Sequence, residues 1–286
     1  MDLFHQSFSD FEIYAWEELL GDWFFVASLA LLLLELTRLL LKKALTWKVA
    51  GDTVTNFITY AAFIGLYYGL AGTFTVATFY YFHEHFSLTQ IPTTLGSVIL
   101  CVVLADFVYY WEHRFMHKVG FGWATHTVHH SSPYFNISVA YRFGPLDGLV
   151  PVFFHLPLAI AGFNPLVIFL AEAVVQLYQT ALHTELVGKL PKPIEAVMNT
   201  PSHHRVHHGS NPQYLDKNYA GIFIVWDKLF GTFEEEREKV VYGIIDPIES
   251  VNPFVVFFHG FTRLAHQVTA AKGLGAKLGC LLRPPG

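Results

Sequence analysis

Four long apolar stretches limit what this chain can fold into. A helix needs about 20 mostly apolar residues to cross the hydrocarbon core of a bilayer. Residues 23–41 (WFFVASLALLLLELTRLLL) meet that length, with Glu35 and Arg38 interrupting near the end. Residues 53–82, studded with Tyr, Phe and Gly, exceed one crossing. They imply a tilted helix or one broken near Gly69 and Gly72. Residues 91–111 (IPTTLGSVILCVVLADFVYYW) begin around Pro92, and the first turn of a helix tolerates the missing N–H. Residues 146–182 are split by Asn164-Pro165 and read as a helical hairpin, either two short spans or a re-entrant pair. The expected class is an all-α integral membrane protein of about four to five membrane-embedded helices, because only helices and closed barrels satisfy their backbone within lipid.

Composition agrees and removes other classes. Charged residues make up 14% and hydrophobic ones 53%, against roughly 25% charged in soluble proteins. So much apolar surface excludes disorder. With 18 basic against 23 acidic residues, net −5, there is no basic stripe for nucleic acid. Two cysteines, Cys101 and Cys280, cannot make a disulfide scaffold. The acidic start (Asp2, Asp10, Glu12, Glu17, Glu18) holds no Lys or Arg before residue 38, so no cleavable signal peptide is expected. Arg38, Lys42, Lys43 and Lys48 place the first loop in the cytoplasm by the positive-inside tendency. Counting spans puts residues 112–132 and 183–218 on that face too. The expected organisation is membrane helices over 1–90, a metal-binding catalytic region over 91–240 and a polar, amphipathic tail over 241–286. Within that tail, residues 253–266 suit the membrane interface. The GLGAKLG run at 273–279 has the wrong spacing for a dinucleotide fingerprint.

The unusual component is histidine, present 16 times. His113 and His117 form H-x3-H; His126, His129 and His130 form H-x2-H-H, as do His204, His207 and His208. Residues three or four apart share a helix face, so each motif is expected to aim its imidazoles in one direction. Convergent nitrogen donors suit Fe, Zn or Cu, whereas Mg and Ca prefer oxygen. Eight such donors exceed one ion's needs and suit two with open positions. His183, at the end of the hairpin, is a further candidate ligand. His203 projects about 100° from His204 and is a weaker candidate. Any of these histidines alone reads more readily as a hydrogen-bonded surface or interfacial residue than as a ligand; the repeated motif is what favours metal. His83 and His85 read as interfacial anchors and His155 as a helix contact, while His5, His259 and His266 lack cluster partners. Asp106 lies inside a span, which is expensive unless paired. It either orients a ligand imidazole from behind or pairs with Arg114 or Arg142. His203 and Asn218 are further candidates for such support.

The segments DFVYYWEHRFMH, WATHTVHHSS, TPSHHRVHHG and NYAGIFIVWDKLFGTF together resemble the membrane fatty acid hydroxylase and sterol desaturase superfamily. HHSS, Asn136 and WDKLFGTF look most like its alkylglycerol monooxygenase branch and bacterial relatives. The resemblance implies a helical membrane fold with a cytoplasmic di-iron cap, held by His113, His117, His126, His129, His130, His204, His207 and His208. His183 matches a further histidine often found before the last motif. It also implies O2 as co-substrate and hydroxylation or desaturation of a lipid, in a bacterial cell membrane or endoplasmic reticulum. Zinc can replace iron on isolation. Two positions depart from that branch: Lys118 stands where an acid is usual, and Ala220 where Gly is usual.

Inert C–H bonds require an oxidant that a metal cofactor supplies. No flavin, nucleotide or haem motif is present, so electrons are expected from a cytochrome b5- or ferredoxin-type partner or a diffusible reductant. A metal transporter should carry its ligands near mid-span, and a metallohydrolase should add a carboxylate as in H-E-x-x-H. The motifs do neither, which favours a lipid hydroxylase, with a desaturase as the alternative.

Overall fold

The computed structural model describes residue 4 and residues 6–284; His5 lies outside them. The described residues form helices with no strand, apart from two isolated bridges. Helix α1 (Asp10–Leu41) starts at Ser9, whose hydroxyl accepts the Glu12 N–H while Glu12 reaches back to Ser9. This reciprocal capping box satisfies donors that the first turn leaves open. The helix therefore begins well before the apolar run. Helices α2 (Trp47–Leu70) and α3 (Gly72–Phe86) meet at a 54° bend, the broken form of the second stretch. Helix α4 (Leu95–Lys118) is capped by Thr94, so Pro92 precedes the helix instead of opening it. The first histidine motif, at the start of the polar His-rich stretch, occupies the last two turns of α4.

A short helix α5 (Gly120–His130) follows, then a 3-10 turn at Ile137–Tyr141. The fourth apolar region is α6 (Val150–Ala161) and α7 (Pro165–Leu182). Gly162 ends α6 at φ 110° with Thr89 against its Cα, a conformation that L side chains rarely adopt. Asn164 caps α7 and Pro165 sits in its first turn. Short helices α8 (Lys192–Val197), α9 (Pro201–His207) and α10 (Val225–Leu229) fold over the polar end, followed by α11 (Pro253–Ala270) and α12 (Leu274–Leu282). By length and hydropathy α1, α4 and α7 can cross a membrane, and the bent α2–α3 pair is either a fourth, broken span or a re-entrant loop.

Two polar contacts set the direction of α1 against α7. Asn164 donates to Asp10 at 2.7 Å at one end, and Arg38 donates to the Glu185 carbonyl at 3.3 Å at the other. The two helices are therefore parallel, and Arg38 lies at the end of the molecule that carries the histidines. The core joining α3, α4, α6 and α7 is built from Phe79, Ala105, Leu158, Val167, Ile168 and Ala171, all buried. Helix α11 packs one face against the bundle and leaves Phe254, Val255 and Phe258 exposed. It packs along α5, and Gly260 touches the Ala124 backbone so closely that a Cβ would meet its carbonyl oxygen.

Gly260→Ala should therefore push α11 off α5. Overpacking typically costs about 1–3 kcal/mol, at roughly 2–4 °C per kcal/mol in a chain of this size. Thermal unfolding of the purified protein checks it; an unchanged midpoint would contradict this packing.

Candidate metal centre

The C-terminal turns of α4, all of α5, the end of α7 and α9 converge on one buried volume. Their histidines sort into two groups of close donor nitrogens. His113, His117, His126, His130 and His207 form one; His129, His183, His204 and His208 form the other. All nine motif and candidate histidines are brought together there, every one buried. The groups adjoin, with the His130 and His208 rings stacked 4.4 Å apart.

The expectation that each H-x2-H-H motif points one way is corrected. His126 and His130 share a group while His129 joins the other, and His204 and His208 stay together while His207 crosses over. The cause is helical pitch. At 3.6 residues per turn, positions i+3 and i+4 lie on opposite sides of position i and about 100° from each other. Two adjacent histidines therefore face two neighbouring sites.

Backbone carbonyls fix the rings from behind. His113 Nδ1 donates to the Tyr219 carbonyl at 2.8 Å and His207 Nδ1 to Lys217 at 3.0 Å. His183 Nδ1 donates to Gln179 at 2.9 Å and His129 Nδ1 to Arg142 at 3.3 Å. A neutral imidazole that donates from Nδ1 has only a lone pair on Nε2. Yet His183 Nε2 and His129 Nε2 lie 3.2 Å apart, two acceptors facing each other. His117 Nε2 and His207 Nε2 are buried with no hydrogen-bond partner. Protonation is not the remedy. Burial first, and the other imidazoles or Arg142 second, hold His126, His129 and His130 well below the ordinary histidine value. Burial likewise takes His183 down to about 3 and His207 to about 4. Converging neutral nitrogens with unused lone pairs are the donor set of a transition metal, and the residues fit a metal centre.

The candidates for support behave differently from expectation. Asp106 neither touches a ligand imidazole nor pairs with Arg114 or Arg142. It accepts from the Ile222 and Phe223 amides and from Trp226 Nε1 at 2.8 Å. His203 lies outside both groups, its Nε2 being 2.9 Å from Glu195. The helical offset that weakened it as a ligand turns it away. Asn218 contacts no imidazole either. In the left-handed region at φ 57°, it donates to the His203 and Glu234 carbonyls, between the two residues whose carbonyls hold His207 and His113. Asp227 accepts the Tyr219 and Ala220 amides, each at 2.8 Å. The WDKLFGTF segment thus clamps the NYA loop that aims Tyr219. Lys118 pairs with Asp216, which lies 3.9 Å from His117 Nδ1. An acid reaches the first motif through space although none follows it in sequence.

Sequence reasoning missed two anchors. Arg142, buried, donates to Asp52 at 3.0 Å, to Asn56 at 2.6 Å and to the Val128 carbonyl at 2.9 Å, tying α2 to the loop that holds His129. Glu35 accepts the Ile137 amide at 2.8 Å and the Thr184 hydroxyl at 2.6 Å, fixing α1 beside His183. Glu35 had a signal, being an acid within a span; Arg142 had none. His155 is more than a helix contact, since it faces both Glu112 and Glu172. His83 and His85 lie at the end of α3, far along the chain from the cluster, and His85 stacks on Tyr81.

Two cavities reach the centre from different surroundings. One of about 370 Å³ touches His126, His129 and His183 and is walled by Phe25, Tyr60 and Phe63. A smaller one of about 160 Å³ touches His117, His130, His207 and His208 beside Asp216 and Arg263.

Comparison with known proteins points the same way. The fatty acid hydroxylase family matches residues 98–232. Alkylglycerol monooxygenase of Homo sapiens is 41% identical over 216 residues, covering 74% of this chain and 47% of that protein. Ornithine lipid hydroxylase OlsE of Rhizobium tropici is 30% identical over 174 residues, 60% of this chain and 52% of its own. Lathosterol oxidase of Homo sapiens is 24% identical over 155 residues, 52% of this chain and 50% of its own. The chain spans about half the length of the curated relatives it matches. No solved structure matches it.

Proposed function

Because the chain belongs to the fatty acid hydroxylase family, we propose that it is a membrane lipid hydroxylase that uses O2 and external electrons. The observation that carries this reading is the pair of buried histidine groups opening into an aromatic cavity within the span region. Bound metal, two iron ions in this reading, supplies the O2 activation that an inert C–H bond demands. His113, His117, His126, His130 and His207 would hold one ion, and His129, His183, His204 and His208 the other.

The remaining work belongs to the chain itself. Backbone carbonyls keep Nδ1 of His113, His129, His183 and His207 protonated, so Nε2 of these four stays a lone-pair donor. The aromatic wall seats an acyl or alkyl chain and excludes water. One oxygen atom enters the lipid and the other leaves as water, so electrons and protons must arrive from outside. The small cavity beside Asp216 and Arg263 offers an approach separate from the lipid's, suited to a diffusible reductant or to a cytochrome b5- or ferredoxin-type donor at the surface. Resemblance to alkylglycerol monooxygenase and to ornithine lipid hydroxylase supports hydroxylation. Resemblance to lathosterol oxidase favours desaturation as the second reading. Desaturation needs two neighbouring carbons held within reach, a tighter positioning requirement. We place the centre on the cytoplasmic side, supported by Arg38, Lys42, Lys43 and Lys48 at the histidine end of α1.

Turnover under 18O2 tests the chemistry. One labelled oxygen in the lipid is expected; a product two hydrogens lighter and unlabelled would move the protein to the desaturase reading. Elemental analysis should find about two transition-metal ions per chain, falling by about one in His183→Ala and in His207→Ala while the protein stays inserted. One ion in active enzyme would refute the two-site assignment. For sidedness, cysteines placed at Pro133, which is exposed, and at Ser210, with Cys101 and Cys280 removed, should both label only from the cytoplasm; labelling from the other side overturns that placement.

A further inference from the structure

A second polar cluster lies within the span region and takes no part in holding the histidines. Glu112 of α4, His155 of α6 and Glu172 of α7 meet there. His155 Nδ1 is 3.3 Å from Glu112 Oε2, 2.9 Å from Glu172 Oε1 and 3.3 Å from the Pro151 carbonyl. One N–H thus faces three acceptors and can serve only one of them. Neither Glu112 Oε2 nor Glu172 Oε1 completes a hydrogen bond within the protein. Glu112 is 1% exposed and His155 2%. Ionisable groups at this depth are costly unless something partners them.

The cluster's place in the cavities says what that something is. Glu112 lines the cavity that touches His126, His129 and His183. Glu172 lines a second cavity of about 850 Å³ between α1, the α2–α3 bend and α7. Gly148, Pro151 and Gln176 line both, so the cluster stands at their junction. On α7, Glu172, Gln176, Gln179 and His183 recur at helical spacing, a polar stripe running about 16 Å from the centre into the membrane. Opposite it stand Tyr60, Phe63 and Phe143. The slot is therefore two-faced, polar on one wall and aromatic on the other.

We propose that Glu112, His155 and Glu172 form a polar subsite of the lipid cavity, which receives the hydroxyl groups of a lipid head. The unsatisfied groups are acceptors, so the ligand must bring donors. Hydroxyls bring them without adding another full charge to a low-dielectric site. Glu112 borders the same cavity as three of the histidines, so a head seated there fixes which part of the lipid lies beside them. Specificity follows from the donors, because an analogue that cannot donate leaves buried acceptors unpaired. The inference rests on the lipid-hydroxylase reading for its substrate class, but its test does not require turnover.

The test is binding of radiolabelled 1-O-hexadecylglycerol to the detergent-solubilised holoprotein, without O2 or reductant. Its 2,3-di-O-methyl ether, which has the same chain and no donors, is the comparison. Wild type should bind the free diol at least about tenfold more tightly. In Glu172→Leu that preference should shrink to within about twofold, while affinity for the capped lipid stays at the wild-type level. Retained binding of the capped lipid shows that the variant is folded. Equal binding of both lipids by wild type overturns the subsite, and this arm decides the matter even if the variant fails to fold. A tenfold preference that persists in Glu172→Leu also overturns it, leaving the carboxylates as helix-to-helix contacts only. Diol preference here, with no oxygenated lipid formed once O2 and an electron donor are supplied in a separate incubation, would instead refute the hydroxylase reading and leave the subsite standing.

Discussion

Buried imidazole lone pairs that face one another are the constraint on which the rest of this structure depends. His129 and His183 each spend their single N–H on a backbone carbonyl, and their other nitrogens meet at 3.2 Å. Two acceptors at that distance repel unless a cation lies between them. Burial rules out protonation as the source of that cation. The arrangement makes sense as a preformed nitrogen site, and the surrounding elements read as means of holding its rings still.

Those means are distributed along the whole chain. Glu35 reaches from α1 to the Thr184 hydroxyl, next to His183, and to the Ile137 amide of the 3-10 turn. Arg142 reaches from that turn to Asp52 and Asn56 of α2. Asp106 and Asp227 fold the segment after α9 so that Tyr219 presents its carbonyl to His113. Each is a buried charge or polar group whose desolvation is offset only by several good hydrogen bonds. Removing one partner would strand the others, which ties membrane helices and polar cap into one structure.

The same economy explains the two-sided access to the centre. The motif H-x2-H-H places neighbours on two faces of a short helix, so one motif serves two sites. The aromatic cavity and the one beside Asp216 and Arg263 each touch histidines of both groups, so the paired centre opens in two directions. Under the proposed hydroxylase reading, a lipid and a reductant then need not share an entrance.

Much of this was legible in the residues themselves. Apolar length determines the spans, because a bilayer admits few alternatives. The break near Gly69 and Gly72, the split at Asn164-Pro165 and the histidines as a set of candidate ligands all follow from local chemistry. His183 was also legible from its place after the hairpin. What sequence could not decide is which histidine joins which site, since spacing gives direction on one helix but not the position of the partner helices. Nor could it show what orients the rings. A carboxylate such as Asp106 was a reasonable candidate, but backbone carbonyls of Arg142, Gln179, Lys217 and Tyr219 do the orienting. Every residue carries a carbonyl, so its use leaves no trace in side-chain identity. Arg142 and the Glu112–His155–Glu172 cluster were hidden for a related reason: residues far apart in the chain meet only when α2, α4, α6 and α7 pack, and packing alone brings those charges together.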